Sequence, residues 1–177
     1  ANHQKRLDQL ATVEREAKEL VQQHRTNDPL LARALLATLY WAEGSKHDRG
    51  GVTFANTDPA LAYLFIALLR QCFSIDERRI RIRLHIHHYH NQAKVIDYWS
   101  ELLKVPTNQF QKLFMKPRSQ RKRFRRNFAG ICYIRYGDSR IRRSIMAYAF
   151  SLQHHLAPIA QRIERVPAED EAGGSIP

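Results

Sequence analysis

Acidic residues are scarce in this chain: 17 Asp and Glu stand against 29 Lys and Arg, a formal charge of +12. Such a surplus selects polyanionic partners, nucleic acid first and an acidic membrane surface second. Cysteine is scarcer still. Cys72 and Cys132 lie far apart in the sequence with no C-x-x-C partner, which argues for a reducing compartment and for thiols buried as small hydrophobes. Long apolar runs are missing as well. The longest, Ala60 to Leu69, falls well short of the roughly 20 residues a membrane-spanning helix needs. No charged-then-apolar leader opens the chain, so a cytoplasmic, nucleoid-associated protein without membrane attachment is expected. What remains is a sequence of 177 residues, 44% hydrophobic, enough for one folded domain with a modest core.

Punctuation along the chain divides it into three parts. Residues 1–26 lack Gly and Pro and predict an exposed helical arm, Gln4 to His24, with Leu7, Leu10, Val13 and Leu20 as a thin apolar stripe. So weak a stripe suits an arm leaning on another module. Residues 27–155 form the core. Asp28-Pro29 and Asp58-Pro59 each supply a helix cap followed by a first-turn proline, and Gly44 closes the first of these helices. A short strand in GGVTFANTD separates them. Arg79 to His87 alternates strictly: Ile80, Ile82, Leu84 and Ile86 on one side; Arg79, Arg81, Arg83, His85 and His87 on the other. An amphipathic helix from Gln92 to Val105, two further strands around NQFQKLFMK and FAGICYIRY, and a last helix capped by Asp138 or Ser139 complete the core. The order predicts an α+β fold with one sheet covered on one face.

The alternating strand places three arginines on the open face without an intervening carboxylate. Side chains there recur about every 6.6 Å, and guanidinium groups in such a row grip phosphates or guanine edges. Arg135 on the last predicted strand is a further candidate contact. Lys112, Lys116, Arg118, Arg121, Lys122, Arg123, Arg125 and Arg126 add a second basic feature, with Phe124 embedded among them. Together these are the candidate nucleic-acid contacts, and the 117–126 loop is expected to order on binding. The histidines at 85, 87, 88 and 90 show no second ligand pair and no closing Cys or Asp, so a hydrogen-bonding face is favoured over a zinc site.

One stretch demands a different explanation. LATLYWAEGS, Leu36 to Ser45, reads as a buried helix that ends in a carboxylate, Glu43. Leu36, Ala37, Leu39, Ala42, Glu43 and Gly44 resemble, position for position, the motif helix of the LAGLIDADG homing endonucleases. The order of elements over roughly residues 29–150 is similar to that family's αββαββα core, with an extra helix at 92–105. Thr38, Tyr40 and Trp41 depart from the usual glycine and lighter residues.

The resemblance implies a homodimer joined at the motif helices, here through Ala34, Ala37, Thr38 and Trp41. It also implies Mg²⁺ or another divalent cation held by Glu43, with Asp48 as a further acidic candidate. Lys112 or Lys116 would stabilise developing charge beside Glu43, and double-stranded DNA would be hydrolysed at a specific site. A silent DNA-binding regulator and an RNA-binding splicing helper are the alternatives. Residues 156–177, polar and without rhythm after Val166, are expected to be disordered. They resemble the in-frame translation of a tRNA gene, which a mobile element lodged beside such a gene would produce.

Overall fold

The computed structural model describes residues 2–23, 28–46, 50–116 and 128–156. Among these residues five α-helices and four strands follow one another as α1 (Asn2–Gln23), α2 (Pro29–Glu43), β1 (Val52–Asn56), α3 (Pro59–Cys72), β2 (Ile80–His87), α4 (Gln92–Leu103), β3 (Phe114–Lys116), β4 (Ile131–Tyr136) and α5 (Ser139–Leu156). The α+β class is as the pattern of the sequence predicts. Asp58, Asn91 and Asp28 cap their helices as side-chain acceptors, Asp28 taking the Leu30 N–H at 2.8 Å. The alternatives at α5 resolve in favour of Asp138, which accepts from Arg140 N at 2.9 Å and Ile141 N at 3.3 Å.

The sheet has the order β1-β4-β2-β3. β4 lies antiparallel between β1 and β2, while β3 runs parallel to β2 at the far edge. Alternation does the sorting. Val52, Phe54, Ile80, Ile82, Leu84, Ile86, Cys132, Ile134 and Tyr136 are all buried on the face covered by helices. The opposite face is open. Phe54 stacks on Phe65 of α3 with centroids 4.2 Å apart and planes 7° from parallel, tying the sheet to the helical layer. Trp99 anchors α4 from a fully buried position, its indole N–H donating to Ala129 O at 2.9 Å.

Tyr40 explains how α2 meets the sheet. Its ring is fully buried and its hydroxyl donates to Ser45 O at 3.1 Å, beyond the helix end. Gly44 N–H closes the helix on Tyr40 O at 2.7 Å, and Ser45 N–H then bonds Thr53 O at 2.9 Å. Gly44 pairs antiparallel with Phe54 as a single bridge. This two-residue stub is all that stands beside β1 on its outer side among the described residues. Gly44 is required by proximity and not by torsion: its φ is −77°, yet an added Cβ would overlap the Tyr40 ring and carbonyl.

Cys132 is buried and its thiol is pushed far up by desolvation; Cys72 is only partly buried. Within the segment expected as an arm, α1 runs from Asn2 to Gln23, and Leu7, Leu10, Val13 and Leu20 are exposed along it.

Candidate nucleic-acid interface

The open face of the sheet collects its side chains by register. Arg81 stands directly opposite Arg135, Arg83 opposite Tyr133, and His85 opposite Ile131; on the other side of β2, His85 pairs with Phe114 and His87 with Lys116. Thr53 of β1 extends the Arg81–Arg135 row. None of the four strands contains an Asp or Glu. Arg81 is braced by its own backbone surroundings, Nη1 donating to Arg78 O at 2.5 Å and to Ile80 O at 2.8 Å. Four cationic side chains therefore share a face whose strands carry no carboxylate, the arrangement that attracts polyanions.

Two imidazoles lie within it. Burial, with Arg83 and Lys116 nearby, holds His85 below its ordinary value of 6.5. Burial, then Lys116, His90 and His88, acts in the same direction on His87. His90 is taken up structurally: its Nδ1 lies 3.1 Å from both the amide N and the carbonyl O of His87, and its Nε2 2.7 Å from Phe128 O.

Arg79 does not belong to the face. It ends a 3₁₀ turn, Glu77–Arg79, before the strand begins, and its guanidinium bonds Gly137 O, pairs with Asp138 at 3.7 Å and covers the Tyr136 ring at 5.1 Å. Tyr136 is a core-face residue, so Arg79 is folded round the sheet's end as a structural clamp. Alternation in the sequence carries no mark of where the ladder starts, and the Asp76-capped turn moves that start to Ile80. Lys116 does join the face, and Lys112 is exposed just before β3. Arg118, Arg121, Lys122, Arg123, Arg125 and Arg126 lie outside the described residues, as does Asp48.

Glu43 is exposed at the end of α2, three residues after Tyr40 and seven after Leu36, hence on the sheet-facing side of the helix. The outer side is apolar: Leu31, Leu35 and Trp41 are 39%, 47% and 39% exposed, and Thr38 and Ala42 lie along the same line. Ala34 is half-buried at its margin. Ala37, expected at a helix seam, is turned into the protomer's own core at 1% exposure and takes no part in the outer stripe. Tyr40 likewise points inward, whereas Trp41, the other bulky departure, stays on the outer side.

Within one protomer, strand order keeps Lys112 and Lys116 away from Glu43. The Gly44 stub and β3 lie at opposite edges of the sheet, roughly 19 Å apart at the usual strand spacing. Lys46 Nζ donates to Trp41 O and, at 3.4 Å, to Gly44 O, placing an ammonium on the carbonyls that flank the carboxylate. Among the described residues no three His, Cys, Asp or Glu side chains are grouped to hold a metal.

Residues that the sequence reading missed are Phe114 and Tyr133, whose rings sit against His85 on the open face. Their signal is present only once β3 and β4 are registered against β2. Arg142 was also missed: buried in α5, it donates through Nη2 to Lys46 O at 2.9 Å and fixes the segment after the motif.

Comparison with protein-family models, with curated proteins and with solved structures returned no match. No helix among the described residues is long and apolar enough to cross a membrane.

Proposed function

We propose that the chain is a LAGLIDADG-type DNA-binding protein that grips duplex DNA on the open face of its sheet and works as a homodimer. The observation that carries the reading is the Arg81–Arg135 row, continued by Arg83 and Lys116, on strands with no carboxylate. Arg and Lys so spaced neutralise phosphates, and Arg can also read guanine edges in a major groove. Support for the family comes from the order of elements: α2, the Gly44–Ser45 stub with β1, α3, β2, β4 and α5 follow an αββαββα sequence, with α4 and β3 inserted before the last strand. Support for the homodimer comes from the outer stripe of α2, an exposed apolar helix side of the kind that marks an interface.

The test is binding to mixed-sequence duplex DNA at several salt concentrations. Each phosphate neutralised steepens the log–log salt dependence by about 0.9. Wild-type binding that survives unchanged in an Arg81→Gln, Arg83→Gln, Arg135→Gln triple variant would sink the proposal.

A second reading, site-specific DNA cleavage as a homing endonuclease associated with a tRNA gene, is favoured by the exposure of Glu43 at the end of the helix that carries the apolar stripe. Pairing of two such helices would bring their Gly44 ends near one another, each Glu43 lying on the sheet-facing side of its own helix. Incubation of supercoiled DNA carrying a tRNA locus with the protein and Mg²⁺ tests it. Cleavage abolished by Glu43→Gln with binding retained supports the nuclease; no cleavage under any divalent cation leaves the binding protein. A structured RNA bound more tightly than any duplex DNA would instead favour the splicing-helper alternative.

A further inference from the structure

The open face carries more than charge. Tyr133 of β4, His85 of β2 and Phe114 of β3 form a diagonal row of rings across three strands, with centroids 4.3 Å apart between His85 and Tyr133 and 4.7 Å between His85 and Phe114. Phe114 is 50% exposed at the edge strand. Lys116, two residues on, shares its side of the strand, Arg83 stands directly opposite Tyr133, and Lys112 is exposed just before. Beyond the end of β2 a second group of rings continues the surface: His87 stacks on Tyr89 at 5.3 Å, with planes 6° from parallel, and also contacts Phe128.

A paired duplex buries the faces of its bases and offers phosphates and groove edges to a protein. Half-exposed rings among cations match a different ligand, an unpaired base, whose free face stacks on an aromatic side chain while its phosphate meets Lys or Arg. Cross-strand ring packing alone accounts for some stability at a sheet edge. It does not account for an exposed Phe flanked by lysines on the side away from the core.

We infer that the β3 edge of the sheet is a stacking platform for unpaired nucleotides, adjoining the duplex-binding arginines of β2 and β4. This deepens the proposed function and rests on it, because the platform matters only if the sheet is the nucleic-acid face. The shared chemistry is an unpaired base on a phosphodiester strand, and the source, DNA or RNA, is left to the experiment.

Three probes distinguish the outcomes: a blunt DNA duplex, the same duplex with a single-stranded DNA extension, and that duplex with an RNA extension. The extensions carry 2-aminopurine, whose fluorescence is quenched on stacking. The full chain should bind at least one extended probe more tightly than the blunt one and quench it. Phe114→Leu, which keeps an apolar side chain at an exposed site, should remove roughly 5- to 100-fold of that preference, the range expected for one stacked base, and leave blunt-duplex binding unchanged. Phe114→Trp should restore it. Whichever extension is preferred identifies the source. No preference for either extension, or equal losses on blunt and extended probes in Phe114→Leu, would overturn the inference. If Arg135→Gln leaves every probe unaffected, the duplex-binding reading itself is at fault; if it weakens all three while Phe114→Leu changes none, only the platform fails.

Discussion

Arg81 and Arg135 are directly opposed across the β2–β4 ladder, two exposed guanidinium groups on one face of the sheet. Like charges in that relation destabilise an antiparallel pair, so the free protein holds the row at a cost that phosphate would relieve. Arg135→Gln is therefore expected to raise the urea midpoint slightly, by a few tenths of a kcal/mol in stability. The same variant should weaken duplex binding and lower the salt slope by about one phosphate's contribution. A variant that loses stability and keeps its affinity would contradict the reading of this pair as a ligand site.

Gly44 tests the junction between the motif helix and the sheet. An alanine there would push a methyl group into the Tyr40 ring, which is fully buried. Overpacking of this kind costs about 1–3 kcal/mol. Thermal unfolding of Gly44→Ala checks it, and Tyr40→Leu in the same background should recover part of the loss by removing the ring.

The outer side of α2 makes a separate prediction. Leu35 is 47% exposed in the protomer, so Leu35→Glu should leave the monomer's stability within about 0.5 kcal/mol. If two copies join there, the charge should weaken self-association by tenfold or more, about 1.4 kcal/mol. Sedimentation velocity over a concentration series reads the change. A wild-type chain that remains monomeric at every concentration refutes pairing through this stripe.

Protonation of the histidines gives a pH dependence with a definite sign. His85 and His87 have folded-state values held below the ordinary 6.5, so below about that pH the unfolded chain binds more protons than the folded one. The stability contributed by keeping these rings neutral is complete above 6.5 and is lost as pH falls through and below it. Asp76 and Asp138 act lower. Asp76 is lowered by its hydrogen bonds from Arg78, and Asp138 first by the Ile141 amide, so their contributions persist until pH falls beneath the ordinary carboxylate value of 3.8. Urea midpoints between pH 7.5 and 5 should decline, and His85→Gln with His87→Gln should flatten that decline while leaving the acid limb below pH 4 in place.

How far these features were legible in the sequence depends on how local their causes are. The caps at Asp28 and Asp58, the termination at Gly44 and the two-sided character of β2 follow from neighbouring residues, and α2, α3 and β2 lie where those signals put them, whereas the strand expected over NQFQKLFMK is reduced to Phe114–Lys116 because Thr107–Gln109 form a 3₁₀ turn. Arg79 continues the alternation in sequence but sits before the ladder, because Asp76 caps a turn that the pattern of hydrophobic residues does not reveal. Ala37 and Tyr40 needed the position of α2 over the sheet before their inward direction was evident. The separation of Lys112 and Lys116 from Glu43 needed strand order, and the ring row through Phe114 needed the parallel register of β3 on β2. These are non-local relations, fixed by pairing over long sequence separations and invisible to periodicity.

The strict division of β2 into an inward aliphatic set and an outward cationic set has an evolutionary consequence. Ile80, Ile82, Leu84 and Ile86 answer to the volume of the helical layer, whereas Arg81 and Arg83 answer to whatever lies across the sheet. Exposed positions of that kind usually change with less than about half a kcal/mol of effect on stability. Drift in the outward set can thus change what the surface meets while the inward set keeps the chain folded throughout.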